Sequence, residues 1–147
     1  MTILEAINTV DGQKFNTYTT AEKVTWLSRL DSIVKRMIID THEGWESVSF
    51  GGYNDKTPME TELLIPEPFD EIYLRWLEAK IDYANGEYDK YNNSILMYNA
   101  SYDAYANYYN RNNMPLGVKN NCFSFGGRGN GARQPSKNII DVSIQEV

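Results

Sequence analysis

The chain reads as an all-α protein: a helical bundle with a long C-terminal helical hairpin, a long Pro/Gly loop and an extended C-terminal arm. Three observations carry this. Two capping boxes each open a run of apolar residues at helical spacing. Seven positions spaced 3,4,3,4,3,4, six of them tyrosine, put Tyr88, Tyr91, Ile95, Tyr98, Tyr102, Tyr105 and Tyr109 on one stripe of a helix. After Pro115 the helical pattern stops and glycines cluster. The organisation expected is a helical domain over 1–115 and an arm over 116–147.

Thr2-Ile3-Leu4-Glu5 has capping-box form and predicts a short helix over about 2–9, ended by Asp11-Gly12. Thr19-Thr20-Ala21-Glu22 is the second box. Val24, Leu27, Leu30, Ile33, Val34, Met37 and Ile38 follow at helical spacing and predict the main core helix over about 20–41, with Lys23, Arg29, Asp31 and Lys35 on its polar side. Residues 44–68 hold Gly51-Gly52, Asn54-Asp55, Pro58, Pro66 and Pro68. They read as a long loop with short extended pieces at 48–50 and 63–65, and loops of this length are often binding elements.

Pro68-Phe69-Asp70-Glu71 opens the next helix, with Leu74, Leu77, Ile81 and Ala84 continuing the period. The tyrosine stripe is in phase across Gly86, so one unbroken helix to about 111 is open. The preferred reading is a helical hairpin turning at Asn85-Gly86, because two antiparallel amphipathic helices bury each other. Gly86-Glu87-Tyr88-Asp89-Lys90 also looks like the turn of a tetratricopeptide unit, but it occurs once. Each tyrosine of the stripe has an apolar face and a hydroxyl that needs a partner or water. A surface half-buried against another protein suits such residues, so the stripe points toward assembly; an ordinary aromatic core is the alternative.

Formal net charge is −6 over 147 residues. It is unevenly placed: residues 1–110 carry nine Lys/Arg against eighteen Asp/Glu, whereas 111–147 carry five against two. The acidic body is unsuited to phosphate contacts with nucleic acid. The basic tail suits an acidic protein surface. Its glycines at 126–131 read as a linker, since Arg128 breaks a phosphate-loop pattern. The mixed apolar run Ile139, Ile140, Val142, Ile144 suits addition of a strand to a partner, with Arg128, Arg133 and Lys137 on the same arm. A single cysteine, Cys122, excludes an intramolecular disulfide. No signal peptide or membrane-length apolar run is visible, and the chain reads as soluble and made in the cytoplasm.

The search for chemistry finds little. His42 is the sole histidine, with Asp40, Glu43 and Glu46 nearby, and reads as a solvated helix end rather than a metal ligand. Cys122 has no histidine close in sequence. Glu78 and Asp82, at i,i+4, read as a wet helix face rather than an acid–base pair. Stacking of the tyrosines on single-stranded nucleic acid would need interleaved basic residues, and 87–110 has only Lys90. No enzyme activity, cofactor or metal is expected.

Several strings carry a resemblance. They are Leu63-Leu64-Ile65-Pro66-Glu67-Pro68-Phe69-Asp70-Glu71-Ile72-Tyr73, Ile81-Asp82-Tyr83-Ala84-Asn85-Gly86-Glu87, Tyr91-Asn92-Asn93-Ser94, Tyr108-Tyr109-Asn110-Arg111 and Met114-Pro115. From Thr41-His42-Glu43-Gly44 to Pro115, about half the chain, the sequence resembles small head–tail connector (adaptor) proteins of tailed phages and prophages of low-GC Gram-positive bacteria. The glycine-rich tail is longer than that family's pattern. The resemblance implies a virion protein made in the host cytoplasm. It further implies a homo-oligomeric, twelve-fold ring beneath the portal protein, meeting a tail or further connector protein. DNA would pass through without specific binding, and no membrane is involved. An acidic body suits such a channel. The expected contact residues are Tyr88, Tyr91, Tyr98, Tyr102, Tyr105 and Tyr109 on the stripe, and Arg128, Arg133, Lys137, Ile139, Ile140, Val142 and Ile144 on the arm. Two other classes remain open: a cellular helical interaction module using the tyrosine stripe, and an enzyme built on His42 or Cys122.

Overall fold

Four α-helices and two short 3-10 helices build the described residues, 1–117, of the computed structural model, and no strand occurs among them. The all-α class holds. The readings made for Cys122, the glycine cluster and the rest of the arm lie outside the described residues.

Helix α1 (Ile3–Gln13) starts at the first capping box. The Thr2 Oγ1 accepts from the Glu5 N–H, and the Glu5 carboxylate accepts from the Thr2 N–H. Two more amides of the first turn are met from far along the chain: Ile3 N–H donates to the Thr61 carbonyl (3.1 Å) and Leu4 N–H to that of Met59 (2.9 Å). The helix does not end at Asp11-Gly12. Asp11 accepts instead from the Lys23 ammonium (2.5 Å) and from Asn16 (2.8 Å), so its carboxylate serves a tertiary contact and not a local turn.

Helix α2 (Thr20–Met37) starts at the second box. It stops four residues short of expectation and tightens into a 3-10 helix at Ile39–Thr41. There the Thr41 hydroxyl donates to the Ile38 carbonyl at 2.7 Å, one of the acceptors a helix end leaves open. Leu27, Leu30 and Val34 of α2 form one core with Ile3, Ile7 and Val10 of α1. Helix α3 (Glu71–Ala84) adds Ile72, Leu77 and Ile81 to that core.

Three residues assigned to wet faces lie inside. Asp31 and Lys23 on α2 are buried, as is Asp82 on α3. Charge periodicity reads as solvent exposure unless a partner is waiting, and here partners wait. Asp82 meets the Lys14 ammonium and accepts from the Ser94 hydroxyl (2.6 Å). Asp31 accepts from the Tyr53 and Tyr73 hydroxyls, each at 2.6 Å, and from the Leu64 N–H at 3.2 Å.

Residues 44–68 do form the long loop expected, and the same contacts hold it against α2 and α3. Residues 48–50 and 63–65 form no strand, and Trp45–Ser47 is a 3-10 helix. Leu63 and Ile65 are buried. The Tyr53 N–H donates to Ser28 Oγ (2.9 Å), and Gly52, at φ +90°, lets the backbone come that close; a Cβ would sit 3.2 Å from the same oxygen.

The hairpin forms as preferred, not the continuous helix. Gly86 has φ +74°. Its N–H donates to the Tyr83 carbonyl (3.1 Å) and the Glu87 N–H to that of Asp82 (2.9 Å), the paired closure of a Schellman motif. Helix α4 (Tyr88–Asn112) then runs back along α3. Beyond it the chain is clamped to the end of α2: Glu43 N–H donates to the Met114 carbonyl and Leu116 N–H to that of Thr41, both at 2.8 Å.

Two predictions follow from these contacts. Gly86→Ala places a Cβ in a left-handed conformation and is expected to cost about 1 kcal/mol in chemical denaturation; a stabilised variant would reject the turn geometry. Asp31→Asn turns one acceptor oxygen into a donor facing the Leu64 N–H or a tyrosine, and should cost about 1–3 kcal/mol. Burial raises the Asp31 carboxyl above its ordinary value of 3.8, against the opposing pull of the Tyr53, Tyr73 and Leu64 hydrogen bonds. Between 3.8 and that raised value the folded state holds more proton than the unfolded one. Stability from this group is therefore full below 3.8 and declines as pH rises through the window. The wild-type advantage over Asp31→Asn should accordingly grow as pH falls, which denaturation at stepped pH measures.

Candidate protein-interaction surface

Helix α4 has two faces of different composition. The inner one is the tyrosine stripe, and it packs on its own chain. Tyr98 and Tyr105 are only 8% and 2% exposed. Tyr91, Ile95, Tyr102 and Tyr109 are half-buried, and Tyr88 alone of the stripe is mostly exposed. The rings form an aromatic seam: Trp76 meets Tyr98 at 5.0 Å between centroids, Phe69 meets Tyr105 at 5.8 Å, and His42 meets Tyr109 edge-on at 5.1 Å. Trp76 is itself held by its indole N–H on the Trp26 carbonyl (2.8 Å). Tyr98 and Tyr105 thus pack within the chain, the ordinary aromatic core that the spacing also left open. The spacing located the stripe; what it could not show is that α3 supplies the covering surface. Burial also pushes the Tyr98 and Tyr105 phenols well above their ordinary range. Among the described residues no hydroxyl of the stripe has a hydrogen-bond partner within the chain.

His42 is also misplaced by the sequence reading. It is 4% exposed, not solvated. Its Nδ1 lies 2.7 Å from the Ile38 carbonyl, which can only accept, so this nitrogen carries the proton. Its Nε2 is buried without a partner. Among the described residues no group of three or more His, Cys, Asp or Glu could hold a metal ion, and no helix is long and apolar enough to cross a membrane. Arg128, Arg133, Lys137, Ile139, Ile140, Val142 and Ile144 lie outside the described residues.

The clefts are shallow and carry little chemistry. One of about 360 Å³ is lined by Ser32, Lys35, Arg36, Asp40, Phe50, Gly51 and Gly52. Its Lys35 ammonium is taken by Asp40. A groove of about 320 Å³ between α3 and α4 is lined by Trp76, Ala79, Lys80, Tyr83, Tyr91 and Ile95, with the Lys80 ammonium 4.4 Å from the Trp76 ring centroid. Neither brings a nucleophile within reach of a base.

The outer face of α4 is the most distinctive exposed surface. Leu96 is 65% exposed and Met97 52%. Asn92, Asn93, Asn99, Ala100, Ala104, Asn107 and Tyr108 accompany them in solvent. Residues 91–110 contain a single charged side chain, Asp103. Asp103 is itself exposed, so this face carries one charge, and so sparse a charge is typical of a covered surface: charged residues are depleted at the centre of interfaces. Sequence reasoning missed this face because the tyrosines dominate the same helix. The signal that could have found it is a single charge over twenty residues.

Tyr98→Ala should lower stability by about 3–5 kcal/mol, as for any large ring removed from a core. Tyr98→Phe should stay within about 0.5 kcal/mol, because the hydroxyl has no partner to lose. Denaturation of the purified chain measures both.

Comparison with known proteins returns no match: no family model, no curated protein and no solved structure is similar to this chain.

Proposed function

We propose that this chain is a structural, non-enzymatic virion protein, the head–tail connector subunit of a tailed phage, ringed beneath the portal and around the passing DNA. The resemblance over residues 41–115 supports this reading. The observation that supports an assembled role is the outer face of α4, where Leu96 and Met97 stand exposed in a stretch with one charge. The net charge of residues 1–110, nine basic against eighteen acidic, suits a wall that DNA slides past. No cofactor enters this role. The rival in which the tyrosine stripe grips a partner needs rings that are already packed inside the chain. The rival enzyme on His42 needs a ring that solvent and substrate can reach, and His42 is 4% exposed with its Nε2 buried. Mixing the purified chain with the portal ring of the same phage tests the proposal. A portal-bound ring of twelve subunits, about 200 kDa of added mass, is expected by native mass spectrometry. Absence of portal binding at about 100 µM would reject it.

A further inference from the structure

The outer stripe of α4 is complementary to itself when reversed. Seven exposed positions follow one another around a single line of the helix: Asp89, Asn93, Leu96, Ala100, Ala104, Asn107 and Arg111. Their spacing is 4,3,4,4,3,4, symmetric about Ala100. Place a second copy of α4 antiparallel, with a two-fold axis at Ala100, and each position meets its opposite. Asp89 faces Arg111 of the second copy, and Arg111 faces its Asp89. Asn93 faces Asn107, an amide able to donate and accept with another. Leu96, the large exposed residue, faces Ala104, a small one. Ala100 faces Ala100 and lets the two backbones approach closely at the axis.

We infer that α4 pairs with α4 of a second copy of this chain in an isologous, antiparallel dimer centred on Ala100. Charge complementarity supports the choice of occupant. Among the described residues neither Asp89 nor Arg111 has an ion-pair partner, whereas Lys90, between them in sequence but off the line, is taken by Glu87 at 3.0 Å. Opposite signs stand at opposite ends of one helix, which is the arrangement a reversed copy neutralises twice. The macrodipoles of two antiparallel helices also attract, each positive N-terminus lying beside a negative C-terminus. Leu96, otherwise left in water, is covered, and Met97 stands opposite Asp103 of the second copy at the edge of the contact, where the carboxylate keeps water. The matched stripe spans roughly 33 Å at 1.5 Å per residue. A contact of that length lies at the low end of specific interfaces, so the dimer is of about micromolar strength rather than permanent.

This pairing does not rest on the connector reading. A two-fold contact closes on itself and yields two copies, whereas a ring is built from head-to-tail contacts. The test uses the full chain in sedimentation equilibrium from about 1 to 200 µM. The expected result is a monomer–dimer equilibrium. Asp89→Arg and Arg111→Asp, each alone, put like charges at both ends and should weaken it about 5- to 10-fold. An equimolar mixture of the two variants should recover near-wild-type affinity as a heterodimer, because each copy then offers what the other lacks. Ala100→Arg should leave a folded monomer, with helicity by circular dichroism unchanged. In a Cys122→Ser background, Ala100→Cys should form a disulfide-linked dimer on oxidation. A chain monomeric throughout this range overturns the inference. So does a dimer indifferent to Ala100→Arg, or a variant mixture no tighter than its components. Assembly straight to a ring with no two-fold dimer overturns it while favouring the connector reading, so the two fail separately.

Discussion

The packing of the described chain depends on one buried carboxylate. Asp31 sits in the middle of α2 with no exposure, and its three hydrogen bonds reach three places far apart in sequence. Tyr53 and Leu64 belong to the long loop; Tyr73 belongs to α3. The Tyr73 hydroxyl is used twice, since it also accepts from the Ile65 N–H at 2.8 Å. A carboxylate in such a place is costly unless its acceptor sites are filled. Filling them requires the loop to lie across α2 and α3 to lie beside it. Burial and the neighbouring carboxylate both push the Tyr53 and Tyr73 phenols upward, so both remain donors over the whole working range of pH. The arrangement specifies position more than it supplies stability.

The second organising contact is the aromatic seam between α3 and α4. Aromatic pairs at these separations add about 0.5–1.5 kcal/mol each beyond their area. They allow a helix with few aliphatic residues to hold firmly to its neighbour. The result is a division of labour around one helix: aromatic rings inward, and a mixed face of Asn, Ala, Leu and Met with few charges outward. The outward face is then rigid and continuous, because a 25-residue helix supported along its length presents its residues at fixed spacing.

Much of this architecture was readable from the residues. Both capping boxes form as written, the apolar period of α2 and α3 places the core except at Ile33, Met37 and Ala84, which are exposed, and Asn85-Gly86 turns the hairpin. The failures share a cause. Lys23, Asp31 and Asp82 follow the polar period of their helices, and only a tertiary partner distinguishes an inward from an outward charge. His42 is buried because the segment after α4 returns to it, with an isolated bridge to Pro115, a contact across more than seventy residues that no local pattern contains. The loop over 44–68 has the composition of a free loop, yet its backbone amides find acceptors on α2 and α3. For the surface, the tyrosine stripe was visible and its direction was not. The outer line of α4 mixes Asp, Asn, Leu, Ala and Arg, so it has no hydrophobic period to detect; its order emerges only once it is known to face solvent.

The start of α1 has a kinetic consequence. Its first two free amides bond to Thr61 and Met59, nearly sixty residues away, and its Thr2 bridges Glu62. Hairpin contacts between α3 and α4 close across a three-residue turn and form early, since short loops cost little entropy to close. The N-terminal helix cannot complete its first turn until the long loop has been laid across α2. In synthesis from the N-terminus, α1 therefore emerges first and is completed late. Until residue 62 has left the ribosome the first turn of α1 lacks these acceptors and its apolar face has only α2 to pack on, and that interval is the chain's exposure to misassociation.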